Sequence, residues 1–199
     1  MKFRDVFYKA KIGDGKALDD GINIVSSAQS IMRFDFRLWG FSHEEIWTPQ
    51  VFEDEQVFEI VSVSGRPYCL GKCFSAASRG DKKKCVRFDY ASNILKNAER
   101  WQYIEFEVPD DKFNQAMDWA YSIEGADYDE QELLKYIFFF LRDDPNKWIC
   151  SPTCMNFKML CGLPFKQFSG IDPLHSAQLT YDYAIKAGQK KPLKKLYKK

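Results

Sequence analysis

The chain shows two kinds of hydrophobic periodicity, one up to residue 108 and another beyond it. In the first part, apolar and polar residues alternate in short runs, the pattern of half-buried β-strands. The clearest runs are DVFYKAKI at 5–12, FSHEEIW at 41–47, YCLGKCFS at 68–75, CVRF at 85–88 and WQYIEFEV at 101–108. Weaker extended patterns occur at 32–38 and 57–63, and 17–30 fits either a helix or an extended segment.

From residue 109 onward the apolar residues recur at helical spacing. Pro109-Asp110-Asp111 is typical of a helix start, because proline and acidic residues favour the first turn. Helices are predicted from 109 to a stop at Gly125, at 130–142, from about 148 to a stop at Gly162, and at 176–186. Strands followed by helices predict an α+β fold, in which an antiparallel and partly barrel-like sheet carries two or three helices.

Length and composition indicate one well-packed domain. A chain of 199 residues is about one domain long. With 45% hydrophobic and 16% aromatic residues it is too apolar for a disordered protein. No apolar run reaches the ~18 residues of a membrane span, and the first residues lack the apolar region of a signal peptide. We therefore expect a soluble, cytoplasmic protein.

The charge is unevenly distributed along the chain. Residues 190–199 contain six Lys and no acid, which leaves 23 basic and 28 acidic residues in the rest. The body therefore carries about −5, which argues against a globally basic nucleic-acid binder. We expect a single domain at 1–189 and a flexible tail at 190–199 that either keeps the protein in solution or meets an anionic partner. Removing the tail is then expected to leave the fold intact.

Cysteine and histidine usage narrows the possible chemistry. Without a signal peptide, the six Cys are expected to be thiols rather than disulfides. Their spacing lacks the C-x2-C pairs of structural zinc sites, so no metal or other cofactor is predicted. The two histidines are His43 and His175, and His175 lies in a proline-containing stretch where a surface position is expected.

The strongest candidate for catalysis pairs His43, near the start of a predicted strand, with Cys150, near the start of a predicted helix. A helix N-terminus favours a thiolate over a thiol and offers free N–H groups to an oxyanion. A histidine on a neighbouring strand can accept a proton and later return it. A buried structural cysteine and a core histidine are the alternative interpretation of the same two residues.

Several segments resemble a known family in their order and spacing. The resemblance is to circularly permuted, NlpC-type papain-like cysteine hydrolases, in which the histidine strand precedes the cysteine helix. Their first strand is similar to VFY at 6–8, and their S-H-x-E strand is similar to SHEEIW at 42–47. The "FSxSxRxxGVRF" stretch of phage-encoded members is similar to CFSAASR at 73–79 with CVRF at 85–88. Their "GxxYD" segment is similar to GADYD at 125–129, and their "W-x-C-S-E" nucleophile motif is similar to WICS at 148–151.

The resemblance implies a thiol-dependent hydrolase or acyltransferase acting on an amide, peptide or ester bond. Cys150 would be the nucleophile and His43 the base. Peptides, peptidoglycan-like molecules and acyl compounds are the implied substrates, and the oligomeric state is left open. The residues implied at the substrate groove are Tyr128, Asp129, Trp148 and Ser151. The alternative is a catalytically silent descendant of the fold that serves a phage in binding or assembly.

The third catalytic residue is left open by the sequence. Glu45 shares the strand face of His43 but is ~7 Å along the strand from it. If 41–47 and 68–76 pair as antiparallel strands, Ser75 also lies near His43. Glu55 and Glu59, in the acidic tract 51–59, are weaker candidates.

Other residues depart from the family pattern or allow two interpretations. Pro152 stands where the family has glutamate after C-S, a position that a first helical turn tolerates. Cys154 is either a resolving thiol or a small buried helix residue. Cys73 and Cys85 are expected to pack structurally, and the alternative is that they face each other across strands. Arg87 either pairs with a carboxylate of the acidic tract or binds a substrate carboxylate.

Overall fold

A computed structural model of the chain describes residues 1–9, 41–48, 61–63, 66–68, 71–77, 85–91, 98–129, 148–166 and 171–196. Within these ranges the strands are β1 (Lys2–Lys9), β2 (Phe41–Thr48), β3 (Val61–Val63), β4 (Arg66–Tyr68), β5 (Lys72–Ala77), β6 (Cys85–Tyr90), β7 (Trp101–Glu107) and β8 (Lys194–Lys195). The α-helices are α1 (Asp110–Ser122), α2 (Cys150–Leu160) and α3 (Pro173–Lys186), and a 3₁₀ turn covers Ala98–Arg100. The predictions for 17–30, 32–38, 51–59 and 130–142, with Glu55 and Glu59, lie outside the described residues.

Six strands form one sheet in the order β6-β5-β2-β1-β7-β8, and β3 and β4 form a separate hairpin. All the pairings in the large sheet are antiparallel, including that of β2 with β5, the condition on which the candidacy of Ser75 depended. The α+β class is thereby confirmed. The sheet is open, with β6 and β8 at its two edges, so the partial barrel closure that we expected is not found among the described strands.

Strands β1 and β2 bury residues on both of their faces. In β1, Phe3 and Phe7 belong to the main hydrophobic cluster, which fills the space between the sheet and the helices. Val6 belongs to a second cluster on the opposite face, with Trp47 and Trp101. The alternation predicted from the sequence is therefore an alternation between two apolar layers rather than between core and solvent.

The three described helices pack on one side of the sheet, with α2 over β2 and β5 and α3 over β2 and β7. Gly125 and Gly162, the predicted stops, follow α1 and α2 with φ angles of +86° and +84°. Helix α3 begins three residues earlier than predicted, because Asp172 caps it by accepting a 2.8 Å hydrogen bond from the His175 amide and Pro173 fits its first position. Among the described residues, no helix is long and apolar enough to cross a bilayer.

The lysine-rich segment was expected to be a flexible tail outside the domain. In the structure its residues Lys194–Lys195 form β8, which pairs with Tyr103 and Gln102 of β7. Leu193 packs against the main cluster and Leu196 against the second one. Residues up to 196 therefore lie against the edge of the sheet.

The described cysteines are free thiols, and Cys69 lies outside the described ranges. Cys73 and Cys85 do not face each other. Cys73 is opposite Asp89, and Cys85 is opposite Ala77, because β5 and β6 are offset from the register that would pair the two cysteines.

Candidate active site

Cys150 is the first residue of α2, as the sequence predicted. The residue before it, Ile149, is extended and provides no side-chain cap. Pro152 occupies the first turn and has no N–H, and the Thr153 amide already bonds the Ile149 carbonyl at 3.1 Å. The first-turn donors beside the Cys150 sulfur are therefore the amides of Cys150 and Ser151.

The start of α2 is fixed by the segment that follows α1. The amide of Asp129 donates to the Trp148 carbonyl at 2.9 Å, and the Trp148 amide donates to the Asp127 carbonyl at 3.1 Å. On its other side, this segment is joined to β6 through the Val86 amide, which donates to the Ala126 carbonyl at 2.9 Å. The sheet therefore positions the residues that lead into Cys150 through backbone hydrogen bonds.

His43 and Glu45 project from the same face of β2. Nε2 of His43 lies 2.7 Å from Oε1 of Glu45. The separation of ~7 Å along the strand, which argued against Glu45, is bridged because both side chains lean towards each other. Glu45 is 2% exposed and the side chain of His43 is 14% exposed. A buried carboxylate thus orients the imidazole and leaves Nδ1 as the nitrogen available to the thiol.

Ser75, the other candidate for this role, is used elsewhere. The paired residues of β2 and β5 run from Thr48 opposite Lys72 to Ile46 opposite Phe74. Beyond that pair, the Ser75 hydroxyl donates to the Glu44 carbonyl at 2.8 Å, and the Cys154 thiol lies 3.8 Å from the same hydroxyl. Ser75 therefore links β2, β5 and α2 rather than contacting His43.

Cys150 and His43 interact electrostatically. Burial lowers the pKa of His43, but the charge and hydrogen bond of Cys150, followed by those of Glu45, outweigh burial and raise it to about 9. His43 is therefore an imidazolium at neutral pH. A charged histidine beside a cysteine at a helix N-terminus is the setting in which a thiol can be activated.

Three other thiols lie in settings that keep them protonated. Burial raises the pKa of Cys73 and of Cys154 well above the ordinary value, and nearby carboxylates add to both shifts. Burial also raises the pKa of Cys161 to about 12. Cys154 is fully buried one turn after Cys150, which agrees with the packing interpretation rather than with a resolving thiol.

The residues implied at the substrate groove lie close to Cys150 in the chain or through backbone bonds, but most are buried. Tyr128 is 9% exposed, Asp129 2% and Ser151 0%, whereas Trp148 is partly exposed and packs edge-on against Trp119. On the histidine side, the ring of Trp101 lies edge-on to His43 with centroids 6.4 Å apart. Trp148 is thus the one of the four that presents a sizeable surface.

The sequence analysis missed a charged cluster directly behind the site. Nζ of Lys158, in α2, lies 2.6 Å from Asp5 and 2.8 Å from Glu44, and all three residues are fully buried. The ammonium also donates to the hydroxyls of Ser176 and Thr180 of α3. A sequence signal existed, because Asp5 lies between Phe3 and Phe7 at an inward position of an alternating strand.

The cluster contains two acids and one base, and a proton held by one of the acids makes its net charge zero. Burial raises the pKa of Glu44 to about 8, with Asp5 adding to the rise and Lys158 opposing it. Burial raises the pKa of Asp5 as well, against the effect of Lys158. Among the described residues, none donates a hydrogen bond to Oδ1 of Asp5 or to Oε2 of Glu44. At neutral pH Glu44 therefore keeps a proton that it can share with Asp5.

Among the described residues, no three His, Cys, Asp or Glu side chains converge in a metal-binding arrangement. Comparisons with protein-family models, curated proteins and solved structures gave no match to this chain.

Proposed function

We propose that this chain is a thiol-dependent hydrolase or acyltransferase acting on an amide, peptide or ester bond, with a permuted papain-like arrangement of its α+β fold. The observation that carries the proposal is the 2.7 Å hydrogen bond between His43 and Glu45, together with the place of Cys150 at the first position of α2, from which it raises the pKa of His43. The strand that bears the histidine precedes the helix that bears the cysteine, as the family resemblance implies.

In the first half of the reaction, the Cys150 thiolate attacks the substrate carbonyl carbon and forms a C–S bond. The carbonyl oxygen becomes an oxyanion that the amides of Cys150 and Ser151 can stabilise. The His43 imidazolium then donates its proton to the leaving amine or alcohol as the bond to that group breaks. A thioester on Cys150 and a neutral imidazole remain.

In the second half, neutral His43 removes a proton from water or from an acceptor nucleophile, which attacks the thioester. The C–S bond breaks, the acid or transferred acyl product leaves, and the imidazolium–thiolate pair is restored. Glu45 keeps the imidazole oriented through both halves and stabilises its charged form. Burial of Glu45 strengthens this effect, because charges interact more strongly away from water.

The proposal is tested with p-nitrophenyl acetate, an activated ester whose acetyl group passes to a thiolate as p-nitrophenolate leaves. We expect a burst of p-nitrophenolate and an acetyl adduct that peptide mass spectrometry locates on Cys150. Cys150→Ala and His43→Ala should abolish the burst, whereas Cys85→Ser, which removes a partly exposed thiol outside the site, should retain it. A burst that persists in Cys150→Ala, or no adduct on Cys150 in the native chain, would refute the proposal and leave the non-catalytic alternative.

A further inference from the structure

A row of charged side chains continues from the site to the edge of the sheet. Nη2 of Arg87, in β6, lies 4.0 Å from the same Glu45 oxygen that contacts His43. Nη1 of Arg87 donates to Asp89 at 3.1 Å. From β6 to β2 the order is Asp89, Arg87, Glu45 and His43, in which the charges alternate in sign.

The sheet explains how Arg87 reaches Glu45 although β5 lies between their strands. Arg87 is opposite Ser75 in the β5–β6 register. Ser75 is small, and its hydroxyl is turned to the Glu44 carbonyl. The long arginine side chain can therefore extend over β5 to the next strand. Cys73, which shares this face of β5, is close enough to Glu45 and Arg87 for their charges to affect its pKa, Glu45 raising it and Arg87 lowering it.

The buried negative charge of Glu45 needs a positive partner in addition to His43. A carboxylate that is 2% exposed has lost most of its hydration, and this is costly unless the charge is compensated. His43 compensates it only while the imidazole is protonated, and the proposed reaction removes that proton in each cycle. The guanidinium of Arg87 stays charged at every working pH, so its compensation does not change during the cycle.

We propose that Arg87, itself oriented by Asp89, is a positioning residue that holds the Glu45 carboxylate against His43 and so maintains the reactive Cys150. The inference rests on the proposed function. The sequence allowed two other roles for Arg87, an ion pair with the acidic tract 51–59, which lies outside the described residues, and recognition of a substrate carboxylate.

The test is the pH profile of Cys150 alkylation in the full chain. The thiolate displaces iodide from iodoacetamide, and peptide mass spectrometry gives the rate at each cysteine. In Arg87→Gln we expect the rate at Cys150 to fall about tenfold at about pH 6 and to recover at alkaline pH, as for a shift of about one pH unit in the profile. Arg87→Lys keeps the charge and should restore most of the rate.

Arg4→Gln is the matched control. Arg4 is also partly buried and paired with a glutamate, with Nε 2.9 Å from Glu105, and its guanidinium lies over the Trp47 ring. An unchanged profile in Arg87→Gln, or an equal fall in Arg4→Gln, would overturn the inference. If Arg87→Gln does not fold, Asp89→Asn must lower the rate instead. If native Cys150 is alkylated fast and Arg87→Gln does not change the rate, only the positioning role is refuted. If native Cys150 is alkylated slowly, the proposed function is refuted.

Discussion

Nζ of Lys158 lies 2.8 Å from Oε1 of Glu44, the residue between His43 and Glu45 in β2. Because side chains alternate along a strand, the side chain of Glu44 projects away from the face that His43 and Glu45 share. Lys158 lies two turns after Cys150 in α2. One buried ion pair therefore ties the strand of the proposed base to the helix of the proposed nucleophile.

Removing Lys158 should strongly destabilise the fold. Lys158→Met leaves two buried acids without their cation, and breaking such a cluster costs about 3–5 kcal/mol of unfolding free energy. Urea denaturation followed by circular dichroism measures the loss. Lys186→Met, at an exposed position of α3, is the control and should change stability by no more than about 0.5 kcal/mol.

Neutralising the partners as well should recover part of that loss. Adding Asp5→Asn and Glu44→Gln to Lys158→Met removes the uncompensated buried charge, so the triple variant should be more stable than Lys158→Met alone. A triple variant that is less stable than the single one would show that the cluster does not act as a set of compensating charges.

Glu44 should make the protein less stable as the pH rises from about 5 to about 8. Its pKa is raised from 4.5 to about 8 in the folded state, so the folded protein retains a proton that the unfolded chain releases over this interval. That contribution to stability is complete below the unfolded pKa and is lost as the pH passes through the folded one. Urea midpoints at several pH values measure it, and Glu44→Gln should show a shallower decline. An equally steep decline in Glu44→Gln would assign the effect to other groups.

Glu45→Gln should lower the pKa of His43 from about 9 towards its ordinary value of 6.5. The substitution keeps the shape of the side chain and removes the carboxylate charge that favours the imidazolium. The ring resonances of His43, followed by NMR over a pH series, give the pKa directly. Glu105→Gln, which alters a carboxylate on β7 that pairs with Arg4, should leave the pKa of His43 where it is.

The edge strand should contribute to stability in spite of its charge. Leu196→Ala removes a side chain that packs on the second cluster and should lower the unfolding free energy by about 1 kcal/mol. Lys195→Ala, at an exposed position beside it, should have little effect. If neither variant changes stability, the original expectation of a tail outside the domain would be supported.

The sequence predicted the elements whose signals are local. Alternation located β2 with His43 and Glu45, and the change of period placed Cys150 at the start of a helix. Ser75 was correctly placed on a strand paired with β2, but the direction of its hydroxyl depends on where the β2–β5 pairing ends. No local pattern shows that end.

The remaining features depend on contacts between distant parts of the chain. Lys158 has the sequence context of a solvent-exposed helix residue, and its burial follows only when Asp5 and Glu44 meet it from two strands. Arg87 reaches Glu45 across an intervening strand. The lysines of β8 have the composition of a tail, yet two leucines among them provide enough apolar surface to dock on the sheet.

The most direct test of the central claim is the rate at which iodoacetamide alkylates each of the six cysteines at about pH 6, in the native chain and in His43→Ala. If His43 and Cys150 form an ion pair, Cys150 reacts much faster than the other five in the native chain and loses most of that advantage in His43→Ala. If all six react slowly and at similar rates, or if His43→Ala leaves Cys150 equally reactive, the claim that Cys150 is a nucleophile activated by His43 is contradicted.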